Sequence, residues 1–356
     1  MKKLFFWPAL VLLVTSCQSG LAPVADNAIP PTLITEPTEN DTDDPAIWIH
    51  PEDASKSLVI GTDKEVGGGL YVYDLEGKVV TKFLGMQRPN NVDVAYGLLI
   101  NGVKTDIAVA TERKTQTMRV FALPHLKPID NGGIPIFEGE EERDGMGIAL
   151  YTKQIDSASN EIHAIVGRKS GPSGSYLWQY KLQADTDGSV KAEVIRKFGA
   201  YSGKKEIEAI AVDNELGYVY YSDETAGIRK YHADPDKGNE ELAFFGQHDA
   251  KRDHEGIALY KKDRETGYIL VSNQQNNTFL VYKREGEEND PHAHTLIADI
   301  PLSSIECDGA DATSVALGDK FPMGMFVAMS NGKVFQLYDW RLLQDWIDQN
   351  PAPEKK

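Results

Sequence analysis

Apolar positions along this chain come in short runs, and the runs recur. Six share one form: an apolar segment of about five residues, often with a carboxylate at its start, then a turn and a β-rich run. They are Asp44-Pro-Ala-Ile-Trp48, Val92-Asp-Val-Ala-Tyr96, Met146-Gly-Ile-Ala-Leu150, Glu208-Ala-Ile-Ala-Val212, Glu255-Gly-Ile-Ala-Leu259 and Thr313-Ser-Val-Ala-Leu317. Each precedes a second strand (57–62, 106–111, 162–167, 218–222, 268–272, 325–329) and a third (70–73, 118–121, 176–180, 228–231, 279–282, 334–338). Short runs rich in Val, Ile and Tyr, bounded by Gly and Pro, predict strands, and no long 3.6-residue period is present. A repeat of roughly fifty residues with several strands per unit predicts an all-β, six-bladed β-propeller of mostly four antiparallel strands per blade. Outer strands are expected at 78–84, 193–198, 242–245 and 294–299. The sixth unit runs out near Trp340 and becomes helical through Asp348, so 32–35 near the N-terminus is expected to supply its outer strand and close the ring.

The ends divide differently. Two lysines, an apolar run from Leu4 to Val14, and Val14-Thr15-Ser16-Cys17 read as an export signal resembling a bacterial lipobox, which implies cleavage before Cys17 and its acylation. That run is far short of the ~20 residues needed to span a bilayer. Residues 18–30 are expected as a flexible tether, 31–348 as the propeller and 349–356 as a polar tail. Cys307 alone then remains, so no intramolecular disulfide can form.

In a propeller the start of each first strand and the end of each second strand lie at one end, so those residues converge on one mouth. Second-strand exits supply Lys64, Glu112-Arg113, Arg168-Lys169, Asp223-Glu224, Asn273-Gln274 and Ser330-Asn331; first-strand starts add Asp43, Asp44, Asn91, Asp93, Asp144, Glu208, Asp253, Glu255, Asp308 and Asp311. Of 356 residues 54 are Asp or Glu and 37 Lys or Arg, a net charge of −17 that argues against a nucleic-acid or anionic-membrane surface and suits cations. Crowded carboxylates need a counter-charge, and a hard cation with oxygen ligands supplies it; several Ca²⁺ ions fit best, since no Cys or His set suggests zinc. Beside them a cationic crescent would hold phosphate. The pairing points to metal-assisted phosphoryl hydrolysis by an activated water.

Asp43-Asp-Pro-Ala-Ile-Trp48, Gly61-Thr-Asp-Lys64, Asn90-Asn-Val-Asp-Val94, Asp253-His-Glu-Gly256 and Cys307-Asp-Gly309 resemble the β-propeller phytases over roughly residues 40 to 340. The resemblance implies calcium-dependent phosphate release from myo-inositol hexakisphosphate, bound as its calcium complex, with a cleavage site and an adjacent affinity site. It implies metal or water contacts from Asp43, Asp44, Glu208, Glu224, Asp253, Glu255, Gln274 and Asp308, with Glu208, Asp43 and Glu255 at the reacting centre. It also implies backbone contacts of Pro45 and Val92 to a structural calcium, and phosphate contacts from Lys64, Arg113 and Arg168, with Lys169 as alternate. Departures are Glu65 for a usual lysine, Met146 for a usual tyrosine, and the spacing of Asn40-Asp41-Thr42; Glu306 or Asp311 would substitute for acids absent before Asp308.

Two rivals belong to other classes. A six-bladed calcium lactonase or esterase would need one metal and no cationic crescent, and a non-enzymatic envelope module would tolerate neutral substitutions at the mouth. Taken singly, Lys64, Arg113 and Arg168 are ordinary loop cations, and 138–144 is an acidic solvated loop. The expected setting is a monomeric exported lipoprotein of the cell envelope, at the outer membrane on its periplasmic or surface face, with Gln18 after Cys17 permitting that sorting.

Overall fold

The computed structural model describes residues 21–156 and 159–352. The signal segment, Cys17, residues 18–20 and 353–356 lie outside that description. Six sheets form the blades of a closed propeller. Inner strands are Thr42–Trp48, Pro89–Ile100, Gly145–Gln154, Ile210–Asp213, His254–Lys261 and Ala310–Thr313. Blades one, three, four and five are simple four-stranded meanders; in blade two the outer edge is split into Lys127–Pro128 and Ile134–Pro135. Blade six takes its outer strand from Leu33–Ile34, which pairs antiparallel with Val334–Asp339, Leu33 opposite Leu337. This closure satisfies an edge that would otherwise stay open, as the sequence predicts.

One predicted segment is corrected. The sixth inner strand is Ala310–Thr313, and only Thr313 of the expected 313–317 belongs to it. Beyond it the chain turns, Leu317 donating its N–H to Phe321 O at 2.9 Å, with Val315 39% exposed. The alternation of Thr-Ser-Val-Ala-Leu imitates a strand, while Asp311 gives the true one a polar appearance.

The core lies in the seams between blades. Ala46, Trp48, Ile60 and Val72 meet Ala108 and Phe121 between blades one and two, and comparable apolar clusters fill the other seams. The cluster joining blades five, six and one also receives the helix Trp340–Gln349. Trp340 is fully buried and stacks on Tyr260 at 3.4 Å; burying rings of this size contributes about 2–3 kcal/mol each. Asp339 caps that helix by accepting the Arg341 N–H at 3.1 Å.

Around the channel the inner strands approach closely. A Cβ on Gly309 would lie 2.3 Å from Asp44 Oδ1 and 2.7 Å from the Asp43 carbonyl, and one on Gly147 would strike the Glu208 carbonyl. Only glycine permits this spacing. Ahead of the closing strand, Ala22 O accepts a hydrogen bond from Asn277 Nδ2 at 2.9 Å, and the buried Ile29 bridges to Leu302. No helix among the described residues is long and apolar enough to cross a membrane.

Candidate functional site: a carboxylate ring facing a cationic crescent

Strand register decides which side chains meet. Pro45 pairs with Gly61, Val92 with Ala110, Ile148 with Val166, Ile210 with Tyr221, Ile257 with Val271 and Ala310 with Ala328. Two residues before each inner member stand Asp43, Asn90, Met146, Glu208, Glu255 and Asp308, an equivalent position repeated around the mouth. In blades one, two, three and five the ladder is irregular just there, and such bulges re-aim side chains. Three residues after each second-strand member stand Lys64, Arg113, Lys169, Glu224, Gln274 and Asn331. Cations therefore come from blades one to three, and an acid and two amides from four to six.

Next-blade carbonyls are fixed by hydroxyls two positions before these second-strand exits. Thr111 donates to Met146 O at 2.6 Å, Ser222 to Glu255 O at 2.7 Å and Ser272 to Cys307 O at 2.8 Å. These bonds hold each inner-strand opening against its neighbour. The mouth is positioned by the ring's closure more than by any loop.

Polar contacts run around it as an arc. Lys64 Nζ lies 3.0 Å from Asp43 Oδ1, off-line for a hydrogen bond, and donates to Asp308 Oδ2 at 2.7 Å; Asp41 is 3.6 Å away. Gln274 Nε2 donates to Asp308 Oδ1 at 2.6 Å, and Gln275 Nε2 to Asp253 Oδ2 at 2.7 Å. Lys205 Nζ lies between Glu224 and Asp253, 3.1 Å from the latter. Asn90 donates to Glu208 Oε1 at 2.5 Å while its own oxygen accepts from Arg113, which also touches Met146. One amide thus ties an acid of blade four to a cation of blade two.

Burial raises the pKa of Asp43 well above the carboxylate range, with Lys64 opposing and Glu208 and Asp308 adding to the rise. Burial likewise raises Glu208, helped by Asp308, and Glu255, helped by Glu224 and Glu208. Glu224 is pushed up to about 7 by burial against the opposing Lys205. Burial works against the Lys64 and Lys205 ammoniums, yet their carboxylate neighbours hold both above the ordinary lysine value. A metal-free mouth is thus an electrostatically costly arrangement.

The donor set fits a hard cation. Asp43 Oδ2, Asp253 Oδ1 and Glu255 Oε2 are buried with no hydrogen-bond partner, while Asp43 Oδ1 and Glu224 Oε2 meet only the ammoniums of Lys64 and Lys205, and leaving such groups unmatched costs free energy. Glu224, Asp253 and Glu255 bring ligand atoms within 4.8 Å of one another, as do Glu206, Glu208 and Glu224. Glu206 and Lys205 escape sequence reasoning because they sit in the irregular loop before blade four. Asn90 carries a signal, its repeat position.

Other predicted residues lie elsewhere. Arg168 is fully buried one position short of the crescent, bonded to Glu140 at 3.1 Å and to the carbonyls of Glu142 and Ser175. Its level, with Asp63, Glu112, Asp223, Asn273 and Ser330, is buried throughout. Lys169, about half exposed and 3.7 Å from Glu206, holds the crescent position. Asp44 is one step deeper and accepts the Val92 N–H at 3.0 Å. With Pro45, Val92, Asp93 and Asp311 it lines a channel cavity of about 530 Å³ beneath the mouth. Asp93 accepts from Val94 at 2.7 Å and Leu150 at 2.7 Å; Asp311 accepts from Ile47 at 2.8 Å and Ala312 at 2.7 Å. Asp311 is therefore no substitute at the mouth. Glu306 gives its N–H to Asn277, Asp144 gives its carbonyl to the Lys169 N–H, and Glu65 is exposed beside Lys64.

A six-bladed propeller whose mouth sets buried, donorless carboxylates against a cationic crescent has the donors to hold a metal cation beside an anion. The particular family follows from comparison: residues 17–346 match the family described as Phytase, and the chain belongs to it. It is 31% identical over 334 residues to the 3-phytase of Bacillus subtilis (strain 168), covering 88% of this chain and 83% of that one. Two solved propellers match at lower identity. The WD40 propeller domain of Doa1 matches at 12% identity and a TM-score of 0.47, covering 86% of this chain and 95% of that one. The Dos1 propeller matches at 12% and 0.44, covering 84% and 68%.

Proposed function

We propose that this chain is a calcium-dependent 3-phytase that hydrolyses phosphomonoesters of myo-inositol hexakisphosphate presented as its calcium complex. Family membership and the 3-phytase relative support the reaction. The observation that carries the metal dependence is the set of buried carboxylate oxygens without donors beside Lys64, Arg113 and Lys169.

Asp43, Glu208, Glu224, Asp253, Glu255, Gln274 and Asp308, with Glu206, are the residues that would hold calcium at the mouth; Asp44 and the carbonyls of Pro45 and Val92 would hold a structural ion below. Bound calcium would polarise P–O bonds, offset transition-state charge and acidify water. The chain's own part is positional. Arg113 and Lys64 bind phosphate oxygens on the reacting side, and Lys169 takes a neighbouring phosphate. Asn90 fixes Glu208 Oε1, which leaves the other oxygen to orient and deprotonate the attacking water. Cys17 is read as the acylated first residue of a monomeric outer-membrane lipoprotein, outside the described residues.

The test is phosphate release from inositol hexakisphosphate by the chain from Ala22 onward, with calcium and then with chelator. Release should fall roughly 100-fold or more on chelation. Equal release in both conditions overturns calcium dependence, and none in either overturns the substrate.

A further inference from the structure

The N-terminal segment meets the propeller at the rim of the mouth. Asn277, 5% exposed, donates from Nδ2 to Ala22 O at 2.9 Å and accepts the Glu306 N–H on Oδ1 at 3.0 Å. It closes the short turn Gln274–Asn276, whose first residue donates to Asp308 of the mouth ring. From Ala22 the chain continues outward along blades five and six: the Ile29 N–H reaches Pro301 O at 2.9 Å, and Leu33–Ile34 completes blade six. Ala22 is therefore two side chains, Asn277 and Gln274, away from the predicted metal ligand Asp308.

Four residues separate Cys17 from Ala22, and the five steps between them span about 17 Å at full extension. An acylated Cys17 rests in the headgroup layer, so the rim is held within that distance of the bilayer. Charge on this face is divided in the matching sense. Exposed Lys204, Lys251, Arg252 and Lys333 stand on the loops of blades four to six, on the tether's side, outnumbering the exposed Asp26 and Glu39 there, whereas exposed Glu138, Glu141 and Glu142 occupy the blade-three rim. The cations form a local patch within a chain of net charge −17, and such a patch is drawn to anionic headgroups.

We propose that the mouth faces the membrane, with a bilayer surface as the partner of the blade-four-to-six rim. Phosphomonoesters then reach the carboxylate ring through the gap between headgroups and mouth. This rests on the reading of Cys17 as acylated.

The full-length chain is reconstituted into vesicles of phosphatidylcholine and phosphatidylglycerol carrying an acceptor dye on a headgroup. A donor dye is placed at Asn276→Cys or Arg264→Cys, at opposite ends of blade five, roughly 20–25 Å apart along its strands. Energy transfer should be at least twofold greater from position 276, and a twenty-residue Gly-Ser insertion after Gln18 should erase the difference. Equal or reversed transfer from vesicle-bound protein overturns the orientation. Absence of palmitate incorporation and of flotation with vesicles overturns the anchor itself, and is read separately.

Discussion

Carboxylates at two levels of this propeller look alike in sequence and differ in what surrounds them. In the channel, Asp93 and Asp311 each accept two backbone N–H groups, one from the neighbouring blade, and so clasp blade two to three and blade six to one. At the mouth, Asp43, Asp253 and Glu255 each keep a buried oxygen with no donor. Burial is shared; satisfaction is not. A satisfied buried acid is part of the frame, whereas one left unmatched marks a place for something the chain does not itself provide.

The sharpest way to break that contrast is to neutralise one acid at each level. Glu208→Gln keeps the oxygen that Asn90 holds and loses only the charge. Turnover should fall by about 100- to 1000-fold, as for loss of a group that acts at the transition state, while the melting temperature stays within a few degrees. Asp311→Ala strands the N–H groups of Ile47 and Ala312 and should cost roughly 2–5 kcal/mol in denaturant unfolding, with turnover per folded molecule retained. If both variants lose activity and stability in equal proportion, the two levels are not distinct.

A smaller effect separates two adjacent cations. Lys169→Ala should raise KM about tenfold, the loss of one charge-assisted contact, with little change in stability. Arg168→Ala leaves Glu140 without its buried partner and a ring face of Phe137 uncovered, so stability should fall by about 3 kcal/mol with KM unchanged. The opposite pattern would return Arg168 to the phosphate side.

This pair also shows what could be read in advance. The fifty-residue repeat yields six blades, the N-terminal closing strand and most of the mouth, because a propeller converts sequence position into angular position. It does not resolve neighbours such as Arg168 and Lys169 or Asp43 and Asp44, since strands alternate faces and a one-residue difference sends a side chain to another level. Glu206, Lys205 and the Asn277 clasp lie in loops without periodicity. The sixth inner strand was hidden by Asp311, a polar residue whose hydrogen bonds only tertiary structure supplies.

The pH dependence of stability divides the two levels by the smallest effect. Burial pushes Asp93 up to about 7 and Asp311 to about 6, and at the mouth Glu224 to about 7. An acid whose pKa is raised on folding favours the fold while protonated. That contribution is full below the ordinary carboxylate value of about 4 and is lost as pH rises through 6 to 7. Chelator-treated protein should therefore melt highest near pH 5 and fall by roughly 5 °C toward pH 8. Calcium should reverse the mouth's share, since it adds its charge to the lone Lys205 ammonium beside ionised Glu224, and leave a residual fall set by the channel. Scanning calorimetry at pH 5, 6, 7 and 8, with and without calcium, measures both shares. A calcium shift as large at pH 5 as at pH 8 would mean that the mouth acids are already ionised without metal, and that their donorless oxygens are not what calcium relieves.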